Sequence, residues 1–446
     1  MILRASMTRH WLLVAMLIAP WLAGAQQVDT AFAPPFALVQ VQPGEPSWMP
    51  VFRLRAAETT YRGSAWWEPY AEMRAQAEAR VGNDTGATAF FDRLIPPSTQ
   101  TIVFPPGVRA VPALDVLAAA ADTARVIMLN EHHHVSATRL LTLQLLPILW
   151  AKGFRYLAAE ALAVKDTGLG RRGYAIEGVT GYYTDDPVFG EIIRQALRLG
   201  YHVVPYDAEE SQEDSTDGLN PQQRRDSIEA LNLYDRIFRE DPNAKVLVHA
   251  GIAHIKESVT ASWSPMAAYF RKLSGIDPVT ADQTVLIEHS APAYEHPAYR
   301  AAIAAGLLRD VPVVLVDSTG APYLPAGFGT DLEILSPRVR WDHDRPMWMA
   351  LFGTRVSVDL HVAECVARRC VAEARLAAES DRAVALDRAE VSAAGAVRLF
   401  VPARQRVRVR VTESSGTVVR TLTLGSYSLT NRSTAGKNTS GRSRKE

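Results

Sequence analysis

The chain has 446 residues, 48% of them hydrophobic and 22% charged. That composition suits a protein with a buried core and excludes a disordered or collagen-like chain. Lys+Arg and Asp+Glu both number 48, so the formal net charge is +0 and no global basic field argues for a nucleic-acid partner.

At the N-terminus, Arg4, Arg9 and His10 precede an apolar run over 11–18, Pro20 breaks it, and Ala23-Gly24-Ala25 supplies small residues. This is the layout of a secretory signal peptide over 1–25, cut near Ala25. A periplasmic or secreted location is therefore expected. The run is too short to span a bilayer comfortably, no Cys follows it, and no later stretch reads as a transmembrane helix, so no membrane span is expected. Residues 26–109 form a lead-in that is Pro-rich and irregular up to about 60 and helical over 64–80, with Pro96-Pro97 and Pro105-Pro106-Gly107 as punctuation.

From about 110 to 335, short β-branched and apolar runs alternate with amphipathic stretches. The runs fall at 125–129, 156–159, 201–205, 245–248, 284–287 and 311–316. Continuous apolar character suits strands buried on both faces. Helices are predicted near 137–152, 187–199, 220–240 and 262–273, with Gly153 and Gly200 where C-caps fall. The expected fold class is α/β: a layered, largely parallel central sheet flanked by helices, with a small C-terminal β module. Residues 336–425 form that extension, reading as helical then loop-like over 364–388 and as three strands at 397–401, 407–411 and 418–422. Residues 426–446 read as a disordered tail. The two cysteines, Cys365 and Cys370, read as one disulfide closing a small loop in an exported protein.

Polar residues stand at the ends of the proposed strands: Asn130-Glu131, Glu160, Asp207, His249, Glu288-His289 and Asp317. The carboxyl edge of a parallel sheet is where ligands bind, and side chains distant in sequence meet there. Two segments stand out. Glu131-His132-His133-His134 follows one buried strand, and His249-Ala250-Gly251-Ile252-Ala253-His254 follows another. Neutral imidazole is both a metal ligand and a general base near neutral pH. Successive side chains cannot all point one way, so the spacing leaves open which of His132, His133 and His134 faces the site.

Asn130-x-x-His133 and Gly251-x-x-His254 resemble the paired signatures of the superfamily that holds the Tiki/TraB, ChaN-like haem-binding and erythromycin esterase-like proteins. Glu160 matches its acidic residue after the second strand. Arg224-Arg225-Asp226-Ser227, opening a helix, resembles its Arg-containing helix. The match covers roughly 110–320. It departs at Asn130, where the family usually has Gly, and the erythromycin esterase spacing would nominate His134 over His133. The resemblance implies an α/β fold and a shared polar pocket, in a family of hydrolases, metal-dependent proteases and haem-binding proteins.

The expected activity is hydrolysis of an ester or amide-type bond in a small-molecule or peptide substrate. Glu131, His133, Glu160, His254 and Arg225 are the candidate catalytic residues. One version has Glu131, His133, Glu160 and His254 holding a divalent metal; the other has a histidine oriented by Glu131 or Glu160 deprotonating water directly. The alternative is a metal- or haem-binding protein without catalysis, with His132, His134 and His249 as further cofactor ligands. No nucleophile elbow, P-loop or dinucleotide fingerprint follows any strand.

Overall fold

The computed structural model describes residues 33–425 except 43, 210–211, 213–219 and 261–262. The signal peptide and the C-terminal tail of the sequence reading lie outside the described residues.

Among the described residues, the first α-helices are α1 (Pro50–Tyr61), α2 (Trp67–Arg80) and α3 (Asp84–Phe91). The core follows as β1 (Arg109–Pro112), α4 (Ala113–Ala120), β2 (Val126–Glu131), α5 (Leu140–Ala151), β3 (Tyr156–Ala159), α6 (Leu169–Arg172), α7 (Pro187–Leu199), β4 (His202–Pro205) and α8 (Pro221–Leu233). It continues as β5 (Val246–Gly251), α9 (Met266–Ser274), β6 (Val279–Asp282), α10 (Pro297–Ala304), β7 (Val313–Val316) and β8 (Leu332–Leu335). The eight strands form one sheet in the order β1-β7-β8-β6-β2-β5-β3-β4. Strands β8, β6, β2, β5, β3 and β4 run parallel, whereas β7 and β1 are the antiparallel pairings at one edge.

The buried runs of the sequence become the centre of this sheet. Val126 to Leu129 and Val246 to Val248 are all fully buried, each side chain contributing about 1.5–3 kcal/mol of burial. Alternation splits them between faces. Ile127, Leu129 and Leu247 pack under α4, α5 and α7, while Val126, Met128, Val246 and Val248 pack under α8 and α9. Helix α7 starts where Asp186 accepts from the amides of Val188 and Phe189 and ends at Gly200 in the left-handed region. Among the described residues, no helix is long and apolar enough to cross a membrane.

Three readings change. The fifth strand is 279–282, not 284–287: Asp282 accepts from the amides of Thr284 and Val285, and this side-chain turn ends the strand before the β-branched run begins. The irregular lead-in contains α1, which packs with Trp48, Tyr70, Met73 and Phe90 into a separate apolar cluster. The stretch 364–388 is mostly strand and loop, not helix.

The C-terminal extension holds a β9 (Trp341–Asp342) and β10 (Arg345–Pro346) hairpin, then β11 (Arg355–His361), β12 (Cys370–Leu376), β13 (Asp387–Glu390), β14 (Ala396–Pro402), β15 (Val407–Glu413) and β16 (Val418–Leu424). Strands β11 and β14 pair as one sheet and β13-β12-β15-β16 as another. A disulfide joins Cys365 to Cys370. The module is tied into the molecule by buried charge. Arg388 donates to Glu373 and Glu177 and to the carbonyls of Arg80 and Asp185, so one side chain joins the module to both α2 and the core.

Candidate active site

Strands β2, β5 and β3 lie side by side, in a register that puts Glu131 opposite Gly251 and Ala159 opposite His249. Their carboxyl ends thus carry Glu131, Gly251 and Glu160 to one point of the sheet edge.

Glu131 is the most heavily partnered of these groups. Arg139 Nη2 donates to its Oε1 at 2.7 Å, and Arg139 Nε lies 2.6 Å from Oε2. His249 Nε2 bonds Oε2 at 2.8 Å and His133 Nδ1 bonds Oε1 at 2.9 Å. Burial alone would raise this carboxyl, but the Arg139 charge and the two histidine hydrogen bonds outweigh it and hold it well below the usual carboxylate range.

A carboxylate only accepts, so the histidine protons on these bonds are assigned by their partners. His249 donates through Nε2, its Nδ1 lies 3.0 Å from the Thr142 hydroxyl, and Phe189 packs against its ring edge-on. Both its nitrogens are engaged, which suits a positioning role and leaves none for a cofactor. His133 donates through Nδ1 and stacks on Tyr183 with ring centroids 3.7 Å apart. Its Nε2 is buried and has no hydrogen-bond partner. In the neutral imidazole that atom carries the lone pair.

Glu160 is held from three sides. Its Oε2 accepts from the Gly251 amide at 2.5 Å, its Oε1 accepts from Arg225 Nη2 at 2.6 Å, and His254 Nε2 lies 3.7 Å from Oε1. Burial would raise this carboxyl, but His254 and Arg225 outweigh it and hold it low. Gly251 sits between the two histidine–carboxylate pairs. A methyl group there would lie 3.0 Å from Glu160 Oε2 and 3.2 Å from His133 Nε2. Gly251→Ala is therefore expected to displace both side chains, with a small loss of stability. A thermal melt would check this; an unchanged melt would show that the two groups are free to move.

Helix α8 supplies the rest. Asn220 caps it, accepting from Gln223, with Pro221 at its first turn. From it, Arg225 contacts Glu160 and Asp207, Asp226 accepts from His254 Nδ1 at 2.7 Å, and Glu229 stands beneath. Glu229 lies 3.0 Å from Arg225 Nε and 3.0 Å from His254 Nδ1, close enough to share charge, with neither contact aligned as a hydrogen bond. Burial pushes the Glu229 carboxyl up to about 8 against the pull of His254 and Arg225. Burial would lower His254, but Glu229, Glu160 and Asp226 raise it well above the usual imidazole range. His254 Nε2 has no hydrogen-bond partner.

The structure thus brings together Glu131, His133, Glu160, His254, Arg225 and His249. His132 and His134 make no hydrogen bond with Glu131 or Glu160; they pack against Phe91 of α3, His134 stacking on it at 4.0 Å, where they line the same cleft as His133. Burial holds both imidazoles low, His132 to about 3. Asp317 ends β7, the strand antiparallel to β8, and hydrogen-bonds its own turn at Thr319 and Ala321. Glu288 bonds Arg338 and the Val339 amide, and His289 bonds Asp92 of the N-terminal layer, so neither joins the site.

Sequence reasoning passed over Arg139, Tyr183, Asp226 and Glu229. Only the last two left a trace, as the Arg225-x-x-x-Glu229 spacing of a helical ion pair with Asp226 beside it.

Glu160, Glu229 and His254 offer ligand atoms that lie within 4.8 Å of one another, and such a group could hold a metal ion. The donor set suits a divalent ion. Against it, Arg225 already places a guanidinium on both carboxylates. His132, His133, His134, Tyr183, Ile252, Glu72, Gln76 and Phe91 line a cleft of about 300 Å³ counted out to solvent, whose enclosed space is about 10 Å³. That space admits one water.

No protein-family model matches the chain, and no curated protein matches it. Among solved structures, it is similar to the type III effector HopBA1 at 16% identity and a TM-score of 0.28, over 40% of this chain and 87% of that one. It is also similar to RRSP, a MARTX toxin effector domain from Vibrio vulnificus, at 16% identity and a TM-score of 0.25, over 46% of each chain. A structure of bacterial protein toxins matches at 13% identity and a TM-score of 0.29, over 56% of this chain and 55% of that one. The chain thus spans about half the length of these last two. Scores this low carry no argument about fold or chemistry.

Proposed function

We propose that this protein is a hydrolase of ester or amide-type bonds in which His133 is the general base. The observation that carries this reading is the His133 side chain itself: Nδ1 fixed by Glu131, and Nε2 buried, unpartnered and beside a one-water space. A water there would give its proton to Nε2 as its oxygen attacks the carbonyl carbon. Glu131 holds the tautomer and balances the imidazolium that forms, and Arg139 keeps Glu131 ionised. Across Gly251, protonated His254 presents an unpartnered Nε2–H, the kind of donor that steadies a developing oxyanion. Arg225 and Asp226 position Glu160 and His254. The motif resemblance to the erythromycin esterase-like and Tiki/TraB proteins supports the same reading.

A metal at Glu160, Glu229 and His254 is the second reading, since those atoms are close enough to share an ion. When bound, such an ion would supply a Lewis acid. His254 cannot both ligate through Nε2 and carry a proton there, so the two readings exclude each other.

One experiment separates them. Purified protein is assayed on p-nitrophenyl esters beside His133→Asn, before and after exhaustive chelation. The expected result is a loss of about 10²–10⁴-fold in kcat/KM for His133→Asn and no loss on chelation. Full activity in His133→Asn would overturn the general-base reading. Loss on chelation, restored by a divalent ion, would replace it with the metal reading.

A further inference from the structure

The wall of the cleft facing His133 comes from outside the core. Glu72 and Gln76, one turn apart on α2, line the same space as His133 and Tyr183. Both are polar and both are 8% exposed. Among the described residues, Glu72 makes no hydrogen bond or ion pair, so its carboxyl is left facing the cleft, and Gln76 Oε1 is buried without a partner. A buried amide oxygen with nothing to bond lowers stability, and an apolar residue would pack this helix as well. Local conflicts of that kind collect at functional sites.

Resting on the hydrolase reading above, we infer that Glu72 is the general acid that protonates the leaving group. Attack by water passes one proton to His133 Nε2 and forms a tetrahedral adduct. When the bond from carbon to the leaving oxygen or nitrogen breaks, Glu72 transfers its proton to that atom. The proton on His133 then returns through solvent to the Glu72 carboxylate, and both groups regain their starting states.

The surroundings keep Glu72 in the acid form. Burial is the main cause, the Glu68 carboxylate one turn earlier adds to it, and together they push Glu72 up to about 8. The titratable groups facing it across the cleft are His132, His133, His134 and Tyr183. Two of these, His132 and His134, stay neutral through burial, so the wall offers Glu72 little positive charge to ionise it. A base on one wall and a protonated carboxyl on the other is the pairing that hydrolysis of a poor leaving group requires.

The test compares an alkyl ester with the p-nitrophenyl ester of the same acid, in the wild type, Glu72→Gln and His133→Asn. Nitrophenolate departs without a proton, whereas an alkoxide needs one. Glu72→Gln is expected to lose about 10²-fold on the alkyl ester and to stay within about threefold on the p-nitrophenyl ester. The fall in wild-type alkyl-ester turnover above about pH 8 should also vanish. His133→Asn should lose both esters. Equal loss on both esters in Glu72→Gln, or loss on neither, overturns the assignment while leaving the base reading intact. Activity of His133→Asn on both esters, or a wild type that cleaves neither, overturns the hydrolase reading and Glu72 with it. A thermal melt of Glu72→Gln at wild-type level or above assigns any loss to chemistry and not to folding.

Discussion

Replacing Glu131 by alanine is expected to destabilise the fold by about 3–5 kcal/mol, the cost of breaking a buried ion pair on one side only. The side chain is 2% exposed and its carboxylate is shared by Arg139, His133 and His249. Without it, the Arg139 guanidinium, itself fully buried, keeps among the described residues only Asp186 at 3.4 Å as a counter-charge. Chemical denaturation measures the loss. The double variant Glu131→Leu/Arg139→Met should recover much of it, because both charges then leave together. It should not recover turnover, because His133 is no longer oriented. A Glu131→Ala protein within 1 kcal/mol of wild type would show that Arg139 finds another partner, and the orienting role assigned to Glu131 would fall with that result. The consequence for mutagenesis is practical: loss of activity in Glu131→Ala reports folding as much as chemistry, which is why His133→Asn is the cleaner test.

The parts of this architecture written in local pattern were legible beforehand. Strands β2, β3 and β5 are continuous apolar runs, β4 is a half-buried edge strand beginning at exposed His202, and α7 is bracketed by Asp186-Pro187 and Gly200. Strand β6 was misplaced because Thr284, Val285 and Ile287 have the stronger strand character, yet the Asp282 side chain ends the pairing before them. Strand β8, four residues long, carries too little pattern to stand out.

At the site, the strand-end acids were readable but the register of the histidine run was not. The structure resolves it in the turn that follows β2. His133 reaches back to bond Glu131, while His132 and His134 pack on Phe91 of the N-terminal layer. Glu229 required the phase of α8, and Glu72 required knowing that a helix some 60 residues upstream of His133 docks over the sheet edge. No local rule carries that information, because the docking depends on the Arg388 and Arg345 side chains and the Glu390 amide of the β module donating to the carbonyls of 80–82.

Acidification is expected to test that docking from the other side. In an unfolded chain a histidine takes up a proton near pH 6.5, whereas burial, with His289 and His133 adding like charge, keeps folded His132 neutral down to about 3. The unfolded state therefore binds more protons in this window, and stability falls as the pH drops below 6.5. At pH 5, His132 alone accounts for about 2 kcal/mol, at roughly 1.4 kcal/mol per pH unit. His134 acts in the same direction. Asp185 acts in the opposite sense. Burial and the nearby Glu177 push its carboxyl up to about 7, so the folded state keeps a proton that the unfolded chain loses near 3.8. Its contribution is present at pH 4 and lost as the pH rises to 7. In the wild type the two effects overlap and partly cancel, so single variants must separate them. His132→Leu should gain on the wild type steadily as the pH falls from 6.5 to 5. Asp185→Asn should gain on it as the pH rises from 4 to 7 and hold that gain above. Denaturant midpoints across this range decide the matter: a His132→Leu difference that does not change with pH would mean that His132 is protonated in the fold, and that the layer carrying Glu72 does not seal the histidine run against Phe91.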